Sequence, residues 1–162
     1  MATTANQPLS ASTARAAFDR FRSAWVDGDM SGIEDVFADD VRYHVPPFPD
    51  MGRSELLEFI AGFRAGFHDF ELSDDEDVVA GSTSVHRWHC AATFAGRAPL
   101  LPMEPTGRHT TASGNLTFHW SDGRVTEAWH FGDWWGWLTQ AGVLPPLNPC
   151  APVGPRRHTR NR

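Results

Sequence analysis

The segment Pro105–Gly142, PTGRHTTASGNLTFHWSDGRVTEAWHFGDWWGWLTQAG, decides the fold of this chain. Two runs that alternate between apolar and polar residues flank Asp122-Gly123, and an Asp-Gly pair in that setting is a strong signal for a β-hairpin. After the second run, Asp133 precedes the tryptophan-rich stretch WWGWLTQ, where an aspartate can cap a helix. The segment therefore predicts strands over 109–120 and 123–132, followed by a short helix.

Working outward from this hairpin, the pattern predicts helices over 12–27, 31–37 and 54–67 and strands over 41–45, 69–80 and 84–94. The first helix has an apolar face, which consists of Ala14, Ala17, Phe18, Phe21 and Trp25. Helices that come first and strands that follow are typical of an α+β fold rather than of βαβ units.

Length and composition limit the classes of protein to which the chain can belong. With 162 residues, of which 41% are hydrophobic, it is long enough for one domain with a sizeable core. We expect that domain over 12–145, after a flexible arm at 1–11 and before a disordered Pro/Arg-rich tail at 146–162. The formal charge of -6 argues against nucleic acid or an anionic membrane as a partner. No apolar run resembles a signal peptide or a membrane span, so we expect a cytoplasmic protein.

Four phrases in chain order resemble the SnoaL-like polyketide cyclases. They are DDVRYHVPPFPDMGRSELLEFIAGFRAGFHDFEL (39–72), TFAGRAPLLPMEPTGR (93–108), the Asp-Gly hairpin and the aspartate before the last helix. The similarity extends over about residues 12–145. It implies an α+β fold of the nuclear transport factor 2 type, a cone-shaped barrel of curved, antiparallel-rich sheet wrapped around three N-terminal helices and a deep pocket. Members of the family are usually dimers or tetramers, so we expect a homo-oligomer.

The same resemblance points to catalytic positions. In the polyketide cyclases and the limonene epoxide hydrolases, the fifth strand carries an acid/base aspartate three residues before a second aspartate. Here His130 stands at the first position and Asp133 at the second. Histidine can still transfer protons, because its unperturbed pKa of about 6.5 suits chemistry near neutral pH. The resemblance thus implies His130 as acid/base and Asp133 as its orienting carboxylate or as a helix cap, and His44 matches a histidine that points into the family's pocket.

The hairpin leaves the direction of His130 open. Simple alternation puts Leu116 on one face with Glu127 and Trp129, and His130 on the other. The more apolar face would be the core, which leaves His130 outside, whereas the resemblance places it in the pocket. Either a β-bulge shifts the register, or both faces of the hairpin are covered.

Further pocket residues come from the strand over 84–94, where His86, Trp88 and Cys90 form one row. His86 and Cys90 could share a metal ion, but no second pair with ligand spacing exists, so we expect no metal site. The seven tryptophans favour a flat, apolar or aromatic ligand. The residues expected to bind substrate are His86, Trp88, Leu116, Glu127 and Trp129.

These observations predict a cofactor-free cyclase or isomerase of secondary metabolism that acts on a hydrophobic, polyketide-like or polycyclic substrate. Its chemistry would be proton abstraction next to a carbonyl followed by aldol-type ring closure, with His44 or His86 as a donor to the enolate. Two alternatives remain open. One is an epoxide hydrolase or dehydratase, for which Arg87 and Glu127 would replace the usual Asp-Arg-Asp arrangement. The other is a non-catalytic module that binds a small ligand.

Overall fold

The computed structural model describes residues 9–101 and 103–146. The predicted arm up to residue 8 and the predicted tail from residue 147 lie outside the described residues.

Three helices precede most of the sheet and a short fourth helix follows it. They are α1 (Ala11–Val26), α2 (Ser31–Val36), α3 (Arg53–Gly66) and α4 (Trp134–Gln140). Helix α1 begins after Ser10, whose Oγ accepts the Thr13 N–H at 3.0 Å, and it buries its apolar face. The helices predicted from the hydrophobic pattern are therefore confirmed, with ends that differ by no more than one residue. None of the helices within the described ranges is long and apolar enough to cross a membrane.

Five strands form one sheet in the order β1-β5-β4-β3-β2. Their bounds are β1 (Phe37–His44), β2 (Phe67–Ala80), β3 (Thr83–Phe94), β4 (His109–Ser121) and β5 (Arg124–Gly132). β1 runs parallel to β5, and every other neighbouring pair is antiparallel. The α+β class is confirmed. The sheet keeps two edges, β1 and β2, so it is not closed into a true barrel.

The β4–β5 hairpin turns at Asp122 and Gly123, which both have the positive φ that a two-residue turn of this kind requires. Trp120 pairs with Val125, but His119 pairs with Glu127, so Thr126 is an extra residue in β5. This β-bulge reverses the alternation of the rest of the strand.

Beyond the bulge, Leu116 pairs with His130, and both side chains are buried on the face covered by the helices. Thr117 pairs with Trp129, so Trp129 and Glu127 lie on the opposite face. The face assignment from simple alternation is therefore wrong for β5, and the bulge that the sequence left as one of two possibilities is present.

Candidate active site

A small cavity lies between the helices and the inner face of the sheet. Its volume is about 20 Å³, which is room for about one water molecule. The wall is formed by Phe21, Trp25, Phe63, Phe70, Leu72, Trp88, Cys90, His130, Trp134 and Trp137. Nearly all of these side chains are aromatic or aliphatic, so the lining of this small space is apolar.

His130 supplies an imidazole to the cavity wall. It is only 5% exposed, and burial lowers its pKa to about 3, so the imidazole is neutral near pH 7. Its Nδ1 lies 2.6 Å from the hydroxyl of Tyr43. Its Nε2 makes no hydrogen bond to a described residue and is thus the nitrogen left for a ligand.

Tyr43, the hydrogen-bond partner of His130, was missed in the sequence analysis. It lies on β1 and is fully buried, and burial raises its pKa well above the ordinary value of 10, so the phenol keeps its proton. A neutral hydroxyl can donate to Nδ1 or accept from it, whichever tautomer the imidazole adopts. The available signal was period-two alternation in β1, where Val41 and Tyr43 are buried and Arg42 between them is exposed.

Asp133 and His130 are not joined by a hydrogen bond. Its Oδ1 accepts the backbone N–H of Gly136 at 2.8 Å, which caps the first turn of α4. The expected hydrogen bond between Asp133 and His130 is therefore not formed, because the carboxylate serves the helix end. Of the two roles that the sequence suggested for Asp133, the structure therefore shows the helix cap.

His44 also lies outside the cavity. Because neighbours along a strand point to opposite faces, the side chain of His44 is on the other side of β1 from Tyr43. Its Nδ1 is 2.7 Å from Asp50 Oδ1, and its Nε2 is 3.2 Å from Glu127 Oε1. The ring stacks on Trp129 with centroids 4.0 Å apart. The outer face of the sheet thus carries a cluster of three residues that were expected in the pocket: His44, Glu127 and Trp129.

The remaining predicted site residues have three different positions. Trp88 lies in the cavity wall, next to His130. Leu116 is buried beside His130 in the sheet, outside the residues that line the cavity. His86 is fully buried, but its Nδ1 bonds to Asp77 at 2.6 Å and its Nε2 to Ser84 at 3.1 Å. Burial lowers the pKa of His86, and Asp77 opposes that shift.

Cys90 is the other titratable group of the cavity wall. Burial raises its pKa to about 12, so it is present as the thiol rather than as a nucleophilic thiolate. Within residues 9–101 and 103–146, no group of three or more His, Cys, Asp or Glu side chains could hold a metal ion. The chemistry available in the cavity is therefore that of a neutral imidazole backed by a phenol.

Comparisons with known proteins agree with this architecture. Similar solved structures include AclR, a proposed hydroxylase from Streptomyces galilaeus, with a TM-score of 0.74, 21% identity and coverage of 86% of this chain and 87% of that chain. IdmH, a proposed polyketide cyclase from Streptomyces antibioticus, has a TM-score of 0.67 and 23% identity, with coverage of 78% and 96%. An LEH-like epoxide hydrolase of M. tuberculosis has a TM-score of 0.61 and 16% identity, with coverage of 80% and 90%.

At these identities the solved structures share the fold with this chain, and their different activities do not transfer with it. None of the curated proteins matches the chain by sequence. The family model of the SnoaL-like polyketide cyclases matches residues 15–141, from the first helix to the end of α4. The chain belongs to the SnoaL-like polyketide cyclase family.

Proposed function

We propose that this protein is a cofactor-free cyclase or isomerase that removes a proton next to a carbonyl group of a small hydrophobic substrate. One observation carries the proposal. His130, at the position where related enzymes have their acid/base group, lies in the wall of an apolar cavity with Nδ1 bonded to Tyr43, and its Nε2 has no hydrogen-bond partner among the described residues. The first requirement for a group that transfers protons is that it reaches the reacting atom, and the second is a suitable pKa.

The proton balance of the reaction can be written with these two residues. Nε2 takes the proton from the carbon, and the electrons of the C–H bond form the enolate. Nδ1–H of the resulting imidazolium donates to the oxygen of Tyr43. In aldol ring closure the enolate carbon attacks a second carbonyl, and Nε2–H returns its proton to the new alkoxide. The enolate and the imidazolium form together, so no isolated charge arises in the low-dielectric cavity.

The low pKa of His130 restricts the substrate. A base with a pKa of about 3 is weak, so it suits a carbon acid that is unusually acidic. Hydrogens on a carbon between two carbonyl groups, or between a carbonyl and an aromatic ring, meet that requirement. We therefore propose a polyketide-like or polycyclic ketone with such an activated position.

The alternative of epoxide opening or dehydration by charged groups has less support. Arg87 is exposed and pairs with Asp75 and Glu76, while Glu127 lies on the outer face of the sheet. Neither belongs to the residues that line the cavity. The non-catalytic binding module remains the main competitor, because it requires only the apolar cavity.

Hydrogen exchange on a model ketone separates catalysis from binding. We expect the protein to accelerate deuterium incorporation next to the carbonyl of 2-tetralone in D₂O, as followed by NMR. His130→Gln should reduce the acceleration by about a hundredfold or more. Trp135→Phe, a change at a half-exposed residue outside the cavity wall, is the control and should leave the rate unchanged. A wild-type rate equal to that of buffer, or a fully active His130→Gln protein that folds normally, would contradict the proposal.

We also propose that the chain forms a homo-oligomer. Phe131 is 51% exposed on the outer face of the sheet and stacks on Trp129, with ring planes 8° apart. Such an exposed aromatic pair is suited to burial against a second copy. Light scattering should give a mass of at least twice the 18.0 kDa of one chain, and a monomer at micromolar concentration would contradict this.

A further inference from the structure

The cavity that His130 lines is too small for the substrate of the proposed function. It has room for about one water molecule, whereas a bicyclic ketone such as 2-tetralone is many times larger. The wall must therefore open before a substrate can reach Nε2 of His130, and at least one of the lining side chains has to move.

Phe70 lies where such an opening would connect the cavity to the surface. Within the described residues, it is the one side chain that lines both the cavity and a surface groove of about 490 Å³. It is half-buried, whereas most of the cavity wall is buried. Its ring packs against Trp25, with centroids 5.7 Å apart, and against Trp137, with centroids 6.1 Å apart. A rotation of Phe70 away from these two rings would join the groove to the cavity.

The backbone at Phe70 has fewer constraints than the rest of β2. β2 is an edge strand, so β3 is its only neighbour in the sheet. The β2–β3 register shifts between His68 and Glu71, and Asp69 and Phe70 therefore both stand opposite the single residue Ala92. Asp69 also has a φ of 53°, a conformation that residues other than glycine seldom adopt. An interrupted ladder next to a strained residue favours local opening of this segment.

Trp134, the other half-buried residue of the cavity wall, has more support. It is the first residue of α4, and Asp133 caps that helix by accepting the Gly136 N–H at 2.8 Å. Its ring packs edge-to-face with Phe48, with centroids 6.0 Å apart. An opening at Trp134 therefore has to displace either the Phe48 ring or the capped end of α4.

We propose that Phe70 is the gate of the cavity, and that its ring swings away from Trp25 and Trp137 to admit a ligand from the groove. This inference rests on the proposed function, because a substrate that passes Phe70 reaches His130 in the same wall. Closure of the ring after entry excludes water from the reacting atoms. Phe70 thus controls access to the site and takes no part in proton transfer.

Cys90 provides a reporter of access, because its thiol lies in the cavity wall and the residue is only 4% exposed. Cys150→Ser leaves Cys90 as the only cysteine of the chain. In that background, Phe70→Ala should speed the reaction of Cys90 with methyl methanethiosulfonate by about tenfold or more, since loss of the aromatic contacts favours the open wall. Mass spectrometry follows the reaction. Phe70→Leu, which keeps a large apolar side chain, should give a smaller acceleration and replaces Phe70→Ala if that variant does not fold.

Phe48→Ala is the matched control, because it removes the same kind of ring from the Trp134 side of the wall. It should leave the rate of Cys90 labelling unchanged, and urea unfolding of each variant shows whether a change in global stability contributes to its rate. An acceleration by Phe48→Ala equal to that by Phe70→Ala would overturn the gate. A rate that none of these substitutions changes would overturn it as well.

The Cys150→Ser protein without further changes gives a readout that does not depend on a variant of the gate. If the wall opens locally, the rate of Cys90 labelling should stay nearly constant at low urea concentrations, whereas access by global unfolding makes the rate rise steeply with urea. A steep rise from the lowest urea concentrations would overturn the proposal. Gated labelling without exchange on 2-tetralone would refute the catalytic proposal alone, whereas intact exchange with labelling independent of Phe70 would refute the gate alone.

Discussion

The hydroxyl of Tyr43 and Nδ1 of His130 are 2.6 Å apart in a region closed to solvent. The two residues lie on the parallel pair β1 and β5, so the sheet itself holds the hydrogen bond. This contact fixes the imidazole, and within residues 9–101 and 103–146 its Nε2 has no hydrogen-bond partner.

Tyr43→Phe removes this contact without changing the ring. We expect kcat for exchange on 2-tetralone to fall by about tenfold or more, with KM nearly unchanged, because in the proposed mechanism the phenol stabilises the imidazolium, and Tyr43 does not line the cavity. Unfolding by urea should show a loss of about 1–3 kcal/mol, since Nδ1 is left buried and unpaired. A normal kcat together with reduced stability would mean that Tyr43 is structural only.

The buried His130 should also make stability depend on pH. Its pKa is about 3 in the folded protein and about 6.5 in the unfolded chain, so between these values the unfolded state binds the extra proton. The contribution of His130 to the free energy of unfolding is complete above pH 6.5 and is lost as the pH falls towards 3. The loss is about 1.4 kcal/mol per pH unit and on the order of 5 kcal/mol in total.

Urea unfolding of the wild type and of His130→Gln at pH 7.5 and pH 5 measures this contribution. Between these two values the wild type should lose about 2 kcal/mol more than the variant. His86, whose pKa is also lowered, contributes in the same direction in both proteins and cancels from the comparison. Identical pH dependence in the two proteins would show that His130 is not buried in a neutral form.

The pH dependence of catalysis follows from the same pKa. If His130 acts as the base, kcat/KM for exchange should stay level from pH 8 to below pH 6, because the free enzyme does not protonate it there. A fall in kcat/KM centred near pH 6.5 would instead indicate a solvent-exposed histidine as the base.

Substitutions of Asp133 distinguish a carboxylate that caps the helix from one that takes part in catalysis. Asp133→Asn keeps an oxygen for the Gly136 N–H and should retain both stability and exchange activity. Asp133→Ala should cost about 1 kcal/mol in the free energy of unfolding. A large loss of activity in Asp133→Asn at unchanged stability would restore the catalytic interpretation of this residue.

Gly114 gives the Trp88 ring its place in the cavity wall. A Cβ at Gly114 would lie 2.0 Å from the Phe131 carbonyl oxygen and 2.5 Å from Cζ2 of Trp88. Gly114→Ala should therefore destabilise the protein by about 1–3 kcal/mol. Gly62→Ala is a suitable control, because the nearest neighbour of the added Cβ, Pro99, is 3.9 Å away and alanine favours a helix by about 0.5–1 kcal/mol. Equal effects of the two substitutions would contradict this packing.

Local signals predicted the elements, whereas the site depends on contacts that are remote in sequence. The Asp-Gly turn and the apolar face of α1 are each determined by residues that are close in sequence, and both are confirmed. Tyr43 and His130 are 87 positions apart and meet through a parallel pairing that no local pattern indicates. The cap at Asp133 was recognisable from the helix that follows it, but its distance from His130 was not.

The bulge at Thr126 has a consequence for how the family can diversify. Without the extra residue in the pairing, the unchanged sequence of β5 would turn Glu127 and Trp129 inward and His130 outward. Deletion of Thr126 would instead keep the present pairing of Ala128 and His130 in an uninterrupted ladder. One strand thus encodes two possible linings, a carboxylate one and an imidazole one, and the presence or absence of the bulge selects between them. A change that removes the bulge while keeping every residue of β5 would therefore exchange the side chain that faces the pocket, without any substitution at the residues that line it.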